Sequence, residues 1–132
     1  MSNESGWLER ALVRFSFEDL DVWQKSVDFS NLVISLVDSL DSDRKHFRLI
    51  GQLEAAVTSI PMNIAEGKGR FSKKEFVQFL YIARGSLFET ITLLEIFRRQ
   101  KWISDIECEE VLEDGEQIGK MISGLINSIR NS

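Results

Sequence analysis

The chain has 132 residues, 43% of them hydrophobic, with 16 Lys+Arg against 21 Asp+Glu, one Pro, one Cys and one His. That length supports one domain that buries about two-thirds of its unfolded surface, while a lone Cys108 and a lone His46 exclude a disulfide framework and a zinc site built from four protein ligands. No apolar run reaches the roughly 18–20 residues of a membrane span, and residues 1–15 lack the unbroken apolar stretch of a signal peptide, so a cytoplasmic location is expected.

Residues 1 to about 15 precede the first periodic segment and are expected to form a loosely held extension, with Trp7, Leu8, Leu12 and Phe15 available to dock onto a groove. The domain proper is expected over 16–132. Its first helix carries Leu20, Trp23, Val27, Ile34 and Val37 at helical spacing. A second row, Val22, Phe29, Val33, Leu36 and Leu40, lies on another side of the cylinder. One neighbouring helix cannot cover both rows, which makes the second the candidate face toward another subunit.

The second helix is predicted from about His46 to Glu66, with Ile50, Leu53, Val57, Ile60 and Ile64 spaced three and four apart. Pro61 falls inside it, where the ring removes a backbone donor and crowds the carbonyl four residues earlier, so a kink is expected near Val57 to Pro61. Beside the apolar row runs a seam of Gln52, Ala56, Ser59, Asn63 and Glu66. Gly67-Lys68-Gly69-Arg70-Phe71 reads as a turn that ends the helix.

Ser72-Lys73-Lys74-Glu75 reads as a capping box opening the third helix, which runs to about Arg99 and is apolar nearly all round. It is expected to be the most buried element. A short connector holds Trp102 and Ile103, and Ser104-Asp105-Ile106-Glu107 is a second capping box. The fourth helix has one stripe, Val111, Ile118, Ile122, Leu125 and Ile129, opposite an acidic face. Connectors this short force antiparallel neighbours, and the predicted fold is all-α, an antiparallel up-down-up-down four-helix bundle.

Charge is unevenly placed. Residues 1–45 carry net −4, residues 46–104 net +4 and residues 105–132 net −5. One basic cluster, Lys68, Arg70, Lys73 and Lys74, surrounds the second turn; the other, Arg98, Arg99 and Lys101, ends the third helix near Arg44, Lys45 and Arg48, with Asp38, Asp41, Asp43 and Asp105 at the same end. Such a cluster can form a phosphate-binding rim, with free backbone N–H groups in a glycine-rich turn and lysines as counter-charge. The more ordinary reading of each cluster is a solvated helix end, with Arg98 and Arg99 complementing the helix dipole.

The seam residues Gln52, Ser59, Asn63 and Glu66 have candidate partners in Ser86 and Glu89 on the third helix. If they face one another they form a buried polar network, which must be internally hydrogen-bonded or line a small pocket. No Glu-x-x-His motif is present for a di-metal bundle, and a single His supports no Ser-His-Asp or Cys-His arrangement. No catalytic residue, metal ligand or cofactor is expected. Cys108 sits among Glu107, Glu109 and Glu110, which disfavours a thiolate.

Three segments carry a family resemblance: Phe17-Glu18-Asp19-Leu20-Asp21-Val22-Trp23-Gln24, Ser59-Ile60-Pro61-Met62-Asn63-Ile64-Ala65-Glu66-Gly67, and Phe79 to Ala83 with Gly85-Ser86-Leu87-Phe88-Glu89. With them the chain resembles the bacterial four-helix-bundle proteins named for 23S ribosomal RNA intervening sequences, from about Phe17 to Arg130. The resemblance implies a homopentamer and no enzymatic activity. It also implies similarity to the accessory proteins of diversity-generating retroelements, which bind nucleic acid and a reverse transcriptase. The chain departs from the family at Glu54 and Ala55, where members usually carry a basic pair. The expected function is a self-assembling, non-enzymatic adaptor that contacts RNA or an RNA-handling protein through Lys68, Arg70, Lys73 and Lys74. The alternative is an oligomeric protein-interaction scaffold with no nucleic-acid binding.

Overall fold

The computed structural model describes residues 14–40 and 46–132. Trp7, Leu8 and Leu12, and the charges Asp41, Asp43, Arg44 and Lys45, lie outside the described residues. A 3-10 turn at Ser16–Asp19 leads into α1 (Asp21–Asp38), followed by α2 (Phe47–Lys68), α3 (Lys73–Arg99) and α4 (Asp105–Arg130). In front of the 3-10 turn, the Glu18 carboxylate accepts from the backbone N–H groups of Arg14 and Phe15 at 3.2 and 2.9 Å. Phe15, the one residue of the expected docking set that is described, is exposed and stacks on Phe17.

Each helix packs on two neighbours in a closed ring: α1 on α2 and α4, and α3 on α2 and α4. Cross-helix hydrogen bonds fix the direction of the α3 pairs. Ser86 meets Ser59 while Glu89 meets Gln52, and Arg84 meets Ser123 while Lys73 meets Ser132, so later residues on one helix face earlier ones on the other. The bundle is antiparallel, as the short connectors require.

The core is the sum of one stripe from each helix. Phe29, Val33, Leu53, Ile60, Leu80, Leu94, Phe97, Ile118 and Ile122 are all below 2% exposed, and each such side chain contributes roughly 1.5–3 kcal/mol through burial. The α2 row from Ile50 to Ile64 is buried throughout. In α4 the stripe is Cys108, Val111, Gly115, Ile118, Ile122 and Ile126, with Leu125 and Ile129 half-buried beside it.

The chain passes through Pro61 as one helix, and the reason lies on α1. Pro61 has no N–H for the carbonyl of Val57, and the Ser30 hydroxyl supplies the missing donor at 3.1 Å from across the bundle. Ser30 also reaches its own helix at the carbonyl of Ser26, 2.9 Å away. Ser26 is fully buried and donates to the carbonyl of Val22 at 2.6 Å. These serines occupy the core-facing side of α1.

Two expectations change. Val22, Phe29 and Val33 are 4%, 1% and 0% exposed inside the single chain, so they have no surface to offer a second subunit; Leu36 and Leu40 are only half-buried against the same core. The serines at positions 26 and 30 explain the shift, because they turn that side of α1 toward α2. Nor is α3 buried all round. Ile82, Phe88 and Ile96 are 51%, 56% and 40% exposed on its outer face. That face, and not the second row of α1, leaves apolar side chains uncovered.

Candidate nucleic-acid interface

At the turn between α2 and α3 the glycines serve packing more than chain reversal. Gly67 is buried in the last turn of α2, and a Cβ there would meet the Phe79 Cβ at 2.7 Å and Phe76 Cδ1 at 3.0 Å. Gly69 caps the helix with φ −78°, an ordinary right-handed conformation. The backbone N–H groups expected to be free are partly committed: Gly69 donates to Ala65 O at 3.2 Å and Arg70 to Gly67 O at 3.1 Å. Anion recognition here therefore falls to side chains.

Those side chains divide into two sets. Lys68 lies over the Phe76 ring at 5.9 Å and Arg70 over Phe79 at 4.8 Å, while Arg70 also bonds the exposed Glu66 at 2.6 Å. Phe71, between Arg70 and the lysines, is fully exposed. Lys73 and Lys74 face the other way, along the α3–α4 seam. Lys73 Nζ donates to Ser132 Oγ at 3.0 Å, and both lysines line a cleft of about 430 Å³ with Val77, Gln78, Tyr81, Ile129 and Arg130. Arg84 and Arg130 place their guanidinium groups 4.8 and 5.3 Å from the Tyr81 ring centre, within the range of cation–π attraction.

The start of α3 is held by Ser72, whose hydroxyl accepts from the Glu75 N–H at 3.1 Å and faces the Glu75 carboxylate at 3.3 Å. This differs from the box at Ser104, where Glu107 also returns a bond to the Ser104 N–H at 3.0 Å.

The two arginines of the second basic cluster are paired with carboxylates. Arg98 and Arg99 both bond Glu95, and Arg98 also reaches Asp105 at 3.3 Å. Hydrogen bonds from Arg98 and then Arg99 hold the Glu95 carboxyl at about 2, well below its ordinary 4.5. The same partners push Arg98 further up. Glu95 lies one turn inside the helix and faces the pair at i+3 and i+4; that spacing was the available signal for it.

The polar seam forms but breaks into three parts. In the middle, Ser86 donates to Ser59 at 2.9 Å and Asn63 donates to both the Ser59 hydroxyl and carbonyl at 2.8 Å. Toward the far end, Gln52 approaches Glu89 at 3.5 Å, with both residues exposed. At the near end, Glu66 is taken by Arg70. The expected buried network is thus half-buried at its centre and open at its ends. Gln52, the partner of Glu89, stands 14 residues from Glu66, roughly 20 Å along α2, so the two carboxylates make no catalytic pair.

Cys108 is fully buried with its thiol 3.9 Å from Leu94 O, and burial, then Glu95, push the thiol up. Among the described residues there is no cluster of His, Cys, Asp and Glu able to hold a metal ion, and no helix long and apolar enough to cross a membrane.

Tyr81, Arg84 and Arg130 were not singled out from the sequence. Tyr81 and Arg84 share a helical face at i and i+3, which is a local signal. Arg130 has none, because it reaches the cleft only through the antiparallel return of α4.

These observations define a four-helix bundle with one end rich in lysines that have no carboxylate partner among the described residues, beside exposed aromatic rings. A family model described as 23S rRNA-intervening sequence protein matches residues 18–124, and the chain belongs to that family. It is also similar to a protein of unknown function from the S23 ribosomal protein family of Bacteroides thetaiotaomicron, whose crystal structure is known. The two are 30% identical over 80% of this chain and 97% of that one, with a TM-score of 0.76. No curated protein sequence matches the chain.

Proposed function

We propose that the chain is a non-enzymatic, self-assembling adaptor in the cytoplasm that contacts RNA through the end of the bundle bearing the α2–α3 turn. The observation that carries this reading is Phe71, a fully exposed ring that follows Arg70 and precedes Lys73 and Lys74 in the sequence, with Lys68 three residues before it. Aromatic faces interleaved with cations suit unpaired bases and their phosphates. Self-assembly is supported by the exposed Ile82, Phe88 and Ile96 of α3, an apolar strip of the kind that marks partner surfaces. The homopentameric stoichiometry, and a reverse transcriptase as the protein partner, follow from the family resemblance alone. The internally bonded seam of Ser59, Asn63 and Ser86 favours a structural role over catalysis.

The test is binding of labelled RNA at graded salt. Changing Lys68, Arg70, Lys73 and Lys74 to Glu is expected to remove binding and flatten its salt dependence, by about 0.7 in slope per lost single-strand phosphate contact. Unchanged affinity in that variant, or no RNA binding at low salt by the unmodified chain, leaves the scaffold reading in its place. Light scattering at micromolar concentration tests assembly: an Ile82→Asp, Phe88→Asp variant is expected to be smaller than the parent.

A further inference from the structure

The cleft between the start of α3 and the end of α4 has a composition unlike the rest of the surface. Its walls hold Lys73, Lys74 and Arg130, its floor is the apolar Val77 and Ile129, and among the described residues no Asp or Glu side chain lines it. Tyr81 closes one side and holds two guanidinium groups, those of Arg84 and Arg130, against its ring. The contrast with the other end of α3 is direct. There a cavity of about 530 Å³ is lined by Arg98, Arg99 and Lys101, but Asp105 shares its wall and Glu95 already occupies both arginines.

We propose that the α3–α4 cleft is a binding site for one nucleotide of a single-stranded RNA, the phosphate held by Lys73, Lys74 and Arg130 and the base laid against Tyr81 and the guanidinium groups beside its ring. The proposal rests on the RNA-contact reading above and places that contact on the seam side of the turn.

Three physical points carry it. The cleft volume of about 430 Å³ lies in the range of small-molecule sites. Arginine planes and aromatic rings are the surfaces on which unstacked bases settle. A guanidinium held by cation–π contact to Tyr81 is also ordered before the ligand arrives, so less side-chain freedom is lost on binding. A duplex would present only phosphates to the lysines and leave the apolar floor and the ring unused. That is why the site selects single strands.

The experiment measures fluorescence anisotropy of a short labelled oligouridine with the full chain, beside a labelled duplex of equal charge, with unlabelled uridine monophosphate and inorganic phosphate as competitors. Tyr81→Ala is expected to weaken the oligouridine complex by about tenfold, the usual scale for losing one base-stacking surface, with its salt slope unchanged. Tyr81→Phe is expected to retain binding, which separates loss of the ring from a general disturbance of the fold. Arg130→Ala is expected to lower the salt slope by about 0.7.

Equal affinity for the duplex, or full binding by Tyr81→Ala, overturns the proposal. So does competition by inorganic phosphate as effective as that by uridine monophosphate, which would make the cleft a site for the free anion. If the cleft variants bind normally while Lys68→Ala, Arg70→Ala does not, this site is wrong and the RNA-contact reading survives. If no oligonucleotide binds at low salt, both fall together.

Discussion

Two connectors bracket α3, and they solve the same chain reversal in opposite ways. The α2–α3 turn contains Gly67 and Gly69 yet uses no left-handed residue, whereas the α3–α4 connector contains no glycine and places Lys101 at φ 64°. In the second, the Trp102 N–H bonds Phe97 O and the Lys101 N–H bonds Arg98 O, both at 2.9 Å, and Trp102 packs edge-on against Phe97 at 5.0 Å. That is a Schellman ending with its hydrophobic contact, built on a lysine where glycine is usual. His46, at the start of α2, stacks on Trp102 with ring centres 3.6 Å apart. Glycine in a turn therefore did not mark the left-handed position in this chain. At Gly67 it marked a place where α3 leaves no room on α2 for a side chain.

The sharpest way to break this comparison is Gly67→Ala. With the Phe79 Cβ only 2.7 Å from the added carbon, α2 and α3 must move apart, and a loss of roughly 1–3 kcal/mol is expected in denaturant unfolding. A neutral result would return Gly67 to the role of a simple helix stop. Lys101→Gly should act in the other direction. It removes the cost of a left-handed lysine, and the unfolding midpoint is expected to rise by an amount equivalent to roughly 1 kcal/mol.

The caps supply a smaller contrast. The Ser104 hydroxyl accepts from the Glu107 N–H and the Ser104 N–H donates to the Glu107 carboxylate, while at Ser72 the Glu75 carboxylate meets the hydroxyl and not the backbone N–H. Ser104→Ala is expected to cost about 1 kcal/mol, and Ser72→Ala a few tenths less, in thermal melts of the two variants. Equal losses would show that the reciprocal bond adds nothing.

The smallest effect concerns charge. Glu95 is held at about 2 in the folded chain against an ordinary 4.5, so its contribution to stability is complete above about 4.5 and declines as pH falls through about 2. The stability difference between the parent and Glu95→Gln is expected to be steady near neutral pH and to vanish toward pH 2. A difference that persists there would mean that packing, and not the ionised carboxylate, ties Arg98 and Arg99.

The two ends also differ in what they leave free. At the α3–α4 connector, Glu95 and Asp105 consume the arginines; at the α2–α3 turn, Glu66 takes only Arg70, and the lysines face solvent or the cleft. The charge count gave four cations to one end and three to the other, with no way to rank them. Pairing ranks them, and pairing depends on which carboxylates the helices bring within reach.

Much of the site was legible for a physical reason that can be stated residue by residue. The row Ile50, Leu53, Val57, Ile60, Ile64 repeats with the helical period, and that period alone decides that one side of α2 is buried. Ser72 and Ser104 were legible as caps because a cap is a local bond between residues three apart. Ser59 and Ser86 were placed opposite one another because a polar seam on one helix needs a partner on the next. What could not be read was each relation between distant segments: Ser30 supplying the donor that Pro61 withholds from Val57, Gly67 seated on Phe79, and Arg130 closing the cleft over Tyr81. The second row of α1 was misplaced for the same cause, since periodicity shows that two sides are apolar but not which one the other helices cover.

The sequence by itself determined an all-α bundle, its four helices, their caps and the uneven distribution of charge, because helical period, capping and short connectors act within a few residues of one another. Only the tertiary structure decided which apolar face stays open, which cations remain unpaired, and that a basic, aromatic cleft exists at all. Those depend on the rotation of each helix about its axis, and that rotation is settled by the packing of all four together.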